Sequence, residues 1–195
     1  MTENTQVKPV PVANWDKSLS QVMGDMNGSP LNVHSLMANH PPLLKAWWDF
    51  RKYSVNGGAL GKRKAELVIL RVAVHVKAWY EWGSHVERGL ACGLTLKEIE
   101  RVKQGGDPPG WNSEDTLLLN AVDELIANHG LSETMHSQLL EYYSVQQIMD
   151  IIAIHGMYVI LGCMINTWGL ELDPQVAARL PHSVTREDFE LQFPR

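Results

Sequence analysis

The sequence predicts an all-α protein, and three observations predict it. Apolar side chains stand at 65, 68, 69, 72, 73 and 76, the spacing of one helix face. Two capping boxes, Thr95 to Glu98 and Ser144 to Gln147, mark helix starts, and the second opens the longest apolar run of the chain. No alternating apolar–polar run of the kind a half-buried strand needs appears, and no repeat.

The elements follow in order. Residues 1–13 read as a tail. Asn14 to Met26 reads as a weakly patterned helix, stopped by Asn27-Gly28-Ser29-Pro30. Leu31 to Asn39 reads as a short helix ended by His40-Pro41-Pro42. The two prolines suit the first turn of the next helix, which carries Trp47, Trp48 and Tyr53 and stops at Asn56-Gly57-Gly58. After the 62–76 helix, a second holds Tyr80 to Cys92, with Gly93 at its end. The helix from Thr95 stops at Gly105-Gly106, and Asp107-Pro108-Pro109-Gly110 reads as an exposed turn. Asn112 or Ser113 caps a helix through Leu125, closed by Gly130, and Ser132 caps one through Tyr143. The apolar helix from Ser144 ends at Gly169. Residues 14–172 thus read as a single domain, and 173–195, with little apolar pattern, as a C-terminal tail.

Composition narrows the function classes. A chain of 195 residues with a 45% hydrophobic share can bury a core of its own. Seventeen basic against 22 acidic side chains argue against a nucleic-acid footprint. The first residues lack the apolar stretch of a signal peptide. The run Ile151 to Ile165, interrupted by His155 and two glycines, falls short of the about 20 apolar residues that span a bilayer and reads as a core helix, so no membrane partner is expected. Cys92 and Cys163 form no Cys-x-x-Cys motif, and a reducing, cytoplasmic setting is the expectation.

The candidate chemistry lies between residues 66 and 85. Glu81 and His85 stand at i and i+4, with Cβ atoms about 5–6 Å apart on one helix face. Glu66 lies nineteen residues before His85, roughly 28 Å away along an unbroken helix. The two meet only if the chain breaks near residues 76–80 and folds back. His85 reads as a general acid/base, or as a helix histidine donating a structural hydrogen bond. Glu66 reads as its partner in a dry pocket, or as a helix-start carboxylate near Lys62 and Arg63. Glu81, between Trp79, Tyr80 and Trp82, reads as a perturbed carboxylate beside a wall for a ring-shaped substrate. Its alternative is a surface residue paired with His85 or Arg88.

Further candidates are weaker. Tyr80 reads as a donor to an enolate oxygen or as core packing, and Arg71 as a carboxylate clamp or a salt bridge. His155, Tyr158 and Asn166 on the apolar helix read as pocket lining or core, and His75 likewise. A metal set from Glu66, Glu81, His85 and His155 is conceivable, but no His-Glu-x-x-His motif occurs. No metal and no cofactor is expected.

The order Glu66, eleven residues, Ala78-x-x-Glu81-x-x-x-His85 resembles the carboxymuconolactone decarboxylase / alkylhydroperoxidase D-like superfamily. His40-Pro41-Pro42 and Gly93-Leu94-Thr95-x-x-Glu98-Ile99 extend the resemblance, and Gly156-Met157-Tyr158 and Asn166 continue it weakly, over roughly residues 35–172. In the peroxidase branch a Cys-x-x-Cys pair stands where this chain has Ala78 and Glu81, so thiol peroxidase chemistry is not implied. The decarboxylase branch lacks that pair and keeps a histidine at His85. The resemblance implies an oligomeric helical bundle, trimer or hexamer. It also implies a cofactor-free decarboxylase acting on a small cyclic or unsaturated carboxylate or lactone of aromatic-compound breakdown. On that reading His85, Glu66 and Glu81 are catalytic. Trp79, Tyr80, Trp82, Arg71, His155 and Tyr158 contact substrate. A peroxidase-like antioxidant, dependent on Cys92, and a non-catalytic binding protein of the same fold are the alternatives. The last predicts Glu66 and His85 apart, or no cavity beside them.

Overall fold

The computed structural model of the chain describes residues 7–107 and 109–193. The first six residues of the expected N-terminal tail, Pro108 of the expected turn and the last two residues of the expected C-terminal tail lie outside that set. Among the described residues the regular structure is entirely helical.

Three short elements come first. Asn14 to Met26 is not one helix but two 3₁₀ turns, Val12–Asn14 and Lys17–Leu19, followed by α1, Ser20–Asp25. Asp16 is the reason: its backbone is extended and its side chain accepts from the Ser18 N–H at 2.8 Å, a local bond that competes with helix. Then come α2, Asn32–Met37, and α3, Pro41–Val55, whose prolines occupy the first turn as expected.

The core is built on α4, Lys62–His75, which packs against α5, Trp79–Ala91; α7, Ser113–Asn128; and α9, Val145–Trp168. Every residue of α4 from Ala65 to Val74 is buried. A helix covered on all sides is apolar all round, and only Glu66 and Arg71 interrupt it. Each therefore needs a partner inside the fold. Leu96–Val102 forms α6 behind the Thr95 capping box, and Glu133–Leu139 forms α8. The latter ends four residues before Tyr143. The C-cap of α7 is His129 in the left-handed region, one residue before the expected Gly130.

The break between α4 and α5 decides the site. Val76 caps α4, Lys77 takes φ +55°, and Ala78 is extended. The Ala78 N–H reaches Ala73 O at 2.9 Å and the Lys77 N–H reaches Val74 O at 3.1 Å, the two bonds of a Schellman motif. Asn166 Nδ2 on α9 donates to the Val76 carbonyl at 2.6 Å and pins the turn. The chain reverses there, and α5 runs back along α4.

Two expectations change. The helix holding Ile151 to Ile165 is 24 residues long and contains an 18-residue window with a mean hydropathy of 2.0, long and apolar enough by length and composition to cross a membrane. Half of that window is buried inside the fold, against α4 among others, so it serves as a core helix. Residues 173–193, expected as a tail, form α10, Pro174–Ala177, and α11, Arg186–Leu191, and both pack on α5. Val176, Val184 and Phe189 are buried, and Phe189 is fully enclosed.

Candidate active site

The α4–α5 reversal places Glu66 opposite His85. The His85 Nδ1–H donates to Glu66 Oε2 at 2.6 Å, and its Nε2 lies 3.6 Å from Glu81 Oε2. Exposure is 4% for Glu66, 3% for Glu81 and 3% for His85. The Tyr158 ring of α9 meets the imidazole edge-on, centroids 5.0 Å apart. Sequence spacing brings Glu81 to His85, and the turn brings Glu66.

Burial sets the proton inventory. It pushes the Glu81 carboxyl up from 4.5 to about 8, against the pull of Arg88 and Arg51 and with the help of Glu66. Burial also holds His85 below its ordinary value, with Glu66 pulling the other way. At neutral pH Glu81 therefore carries a proton, while His85 is a neutral imidazole with Nε2 free to accept. Glu81 Oε1 has no hydrogen-bond partner.

These groups open onto a cavity of about 30 Å³, room for a water or two. Its walls come from α2, α3, α5 and α9 and include His34, Trp47, Arg51, Ser84, Arg88 and Tyr158. Along α5 the residues facing it are Tyr80, Glu81, Ser84, His85 and Arg88, one stripe of the helix.

Several expected substrate contacts lie elsewhere. Trp82 is enclosed and packs on Phe189, centroids 5.4 Å apart, and Trp79 packs on the same ring at 5.9 Å. Both belong to the opposite face of α5, covered by the C-terminal segment. Arg71 is bound by Asp123 through Nε at 2.5 Å and Nη2 at 2.9 Å and by the carbonyls of Val102 and Lys103; it ties α4 to α7 and does not reach the cavity. His75 joins the same carboxylate at 2.6 Å. His155, three residues before Tyr158 on α9, does not line the cavity. Tyr80 lines it with its ring, but its hydroxyl donates to Asp173 Oδ2 at 2.6 Å and accepts from the Val33 N–H at 3.2 Å. That hydroxyl is committed to the fold and cannot serve an enolate.

The sequence reading missed His34, Trp47, Arg51 and Ser84, and held Arg88 only as a surface partner. Ser84 and Arg88 were within reach of helical spacing, three and seven residues after Glu81. Nothing local marks Arg51 or His34, since only tertiary packing brings α2 and α3 over α5. Among the described residues no set of three His, Cys, Asp or Glu side chains is arranged to hold a metal.

The all-α fold matches alkylhydroperoxidase D-like structures. An uncharacterized peroxidase-related protein from Ralstonia eutropha, described as an alkylhydroperoxidase AhpD core, matches with a TM-score of 0.76 at 18% identity, over 90% of this chain and 96% of that one. The debrominase Bmp8, as a cysteine-to-alanine variant in complex with 2,3,4-tribromopyrrole, matches with a TM-score of 0.74 at 15% identity, over 91% and 97%. An uncharacterized peroxidase-related protein from Silicibacter sp. gives 0.73 at 14%, over 89% and 95%. Identities this low carry the fold alone. No curated protein matches the chain. The carboxymuconolactone decarboxylase family model matches residues 41–124, the stretch that holds Glu66, Glu81 and His85. This match and the alkylhydroperoxidase D-like fold support the resemblance to the carboxymuconolactone decarboxylase / alkylhydroperoxidase D-like superfamily.

Proposed function

We propose that the protein is a cofactor-independent acid–base enzyme of the carboxy-lyase type. Its substrate is a small cyclic or unsaturated carboxylate or lactone from aromatic-compound breakdown. One observation carries the reading: His85, hydrogen-bonded through Nδ1 to Glu66 at 2.6 Å, presents Nε2 to a cavity beside the buried Glu81, whose carboxyl burial pushes up to about 8.

The chemistry follows from that array. The bond between the substrate carboxylate and its ring breaks, CO₂ leaves, and the electron pair stays behind as a dienolate. The dienolate takes a proton that Glu81 supplies and His85 passes through Nε2, while Glu66 stabilises the transient imidazolium. Solvent returns the proton to Glu81. General acid–base help of this kind is worth about 10²–10⁴-fold, and the remainder comes from positioning and desolvation. The cavity must widen to admit a ring, since small-molecule pockets run to roughly 300 Å³ and more.

The competing readings have less support. Cys92 does not line the cavity and burial pushes its thiol up, away from the thiolate a peroxidase needs. The binding-protein reading expects Glu66 and His85 apart or without a cavity, and the geometry is the reverse. Two free cysteines suit the cytoplasmic setting. A homo-oligomer is part of the proposal: Val145, Met149, Ile152 and Ile160 form an exposed apolar row along α9, a face that a second copy would cover.

The test is CO₂ release and ultraviolet absorbance change on γ-carboxymuconolactone by wild type and His85→Gln. The expected result is turnover that falls by about 10²–10⁴-fold in the variant. No turnover by folded wild type rejects this substrate.

A further inference from the structure

The cavity holds two guanidiniums that the fold leaves without a counter-charge. Arg51 projects from α3 and Arg88 from α5, and both line the space in front of His85. Among the described residues neither makes an ion pair or a side-chain hydrogen bond. Arg51 lies instead over the Trp48 ring, 4.8 Å from its centroid. Among the same residues Arg101 also lacks a carboxylate but donates to the Gly110 carbonyl at 2.9 Å, and four other guanidiniums are paired. Arg63 holds Asp115 and Glu98, Arg71 holds Asp123, Arg179 holds Glu87, and Arg186 holds Glu190.

Three neutral groups in the same wall are equally unanswered. Ser84 Oγ, His34 Nδ1 and Glu81 Oε1 are buried without a hydrogen-bond partner, on side chains more than nine-tenths enclosed. Unpartnered buried polar atoms are costly, and folded proteins rarely collect several around one space without a use for them. Two like charges lining one partly desolvated space add to that cost. One carboxylate on Glu66 against two guanidiniums leaves the site a net positive charge that the protein itself does not cancel.

We infer that Arg51 and Arg88 form an anion clamp, with Ser84 and Glu81 as its neutral hydrogen-bonding side, that selects a carboxylate-bearing ligand over its uncharged counterpart. The guanidinium fork matches a carboxylate in two parallel bonds, which a lactone carbonyl or an amide cannot reproduce. Trp47 and Tyr158 flank the same space, which suits a planar, unsaturated carboxylate. The inference rests on the acid–base reading of the site for its meaning in catalysis, but its test reads binding and needs no turnover.

The experiment uses the full chain with benzoate and its neutral isostere benzamide, read by calorimetry and by the fluorescence of Trp47 and Trp48. Benzoate is expected to bind about tenfold to a hundredfold more tightly than benzamide, the range for hydrogen bonds to a charged group. Arg51→Met and Arg88→Met are each expected to erase most of that preference, and Arg51→Lys to restore part of it. His85→Gln should keep it. Equal affinity for the two probes, no benzoate signal at about 10 mM, or a preference that survives both methionine substitutions would overturn the clamp. The comparison on wild type stands even if a variant fails to fold. A clear preference with no turnover of the lactone would keep the clamp and reject the decarboxylase.

Discussion

Glu81 is the residue whose behaviour separates this site from a structural salt bridge. Its carboxyl is lifted from 4.5 to about 8 by burial, so its contribution to stability is fully present below about 4.5 and is lost as pH rises through about 8. Glu81→Gln removes that dependence. Urea midpoints at several pH values between 5 and 9 should show wild type losing ground to the variant as pH rises; a difference that stays flat would contradict the assignment. His85, held low by burial, acts in the opposite direction near its ordinary value, and comparing the two proteins cancels it. At this scale much of the site was legible. The i, i+4 pair of Glu81 and His85 is visible in the sequence because a helix repeats every 3.6 residues. Trp79 and Trp82 misled for the same reason. Proximity in sequence to Glu81 says nothing about which face of α5 a side chain occupies, and theirs is the face that Phe189 covers.

At the scale of elements, the turn between α4 and α5 has to hold Glu66 and His85 within 2.6 Å. It is held by the Schellman bonds, by Asn166, and by a close approach to α9 at Gly162. A Cβ at Gly162 would sit 2.5 Å from Val76 Cγ2 and 3.3 Å from its Cβ. Gly162→Ala is therefore expected to cost about 1–3 kcal/mol, the usual range for overpacking, measured by denaturant unfolding. Because it pushes on the turn, the variant should also lose activity beyond what its lower stability explains. A neutral substitution would mean the turn tolerates the shift and is not pinned there. The capping boxes at Thr95 and Ser144 were legible because both partners of each box lie within four residues. The broken helix at 14–26 was not, because a single Asp16–Ser18 bond tips a weakly patterned segment into 3₁₀ turns.

For the whole molecule, the segment beyond residue 172 and the outer face of α9 show what composition hides. Few apolar residues mark 173–193, yet Val176, Val184 and Phe189 are each placed where they bury. Asp173 links this segment to the cavity roof, accepting from the Tyr80 hydroxyl at 2.6 Å and from the Asn32 N–H at 2.9 Å. Contacts between residues 32 and 173 have no local signature, so sequence pattern could not show them. The exposed row on α9 belongs to the same scale. Sedimentation at micromolar concentration should return a mass of several copies, trimer or hexamer, and Met149→Glu should lower it. A monomer would remove the interface.

The central claim is that His85 stands as a neutral imidazole with Nδ1–H held by Glu66 and Nε2 open to the cavity. Ring nitrogen NMR of ¹⁵N-histidine protein, with His85→Gln used to assign the signal, tests it without any substrate. The prediction is an Nδ1–H, Nε2-free tautomer at pH 7 that remains neutral below the ordinary histidine value of about 6.5. Glu66→Gln should shift that signal. An imidazolium at pH 7, or a proton on Nε2 in place of Nδ1, would contradict the account.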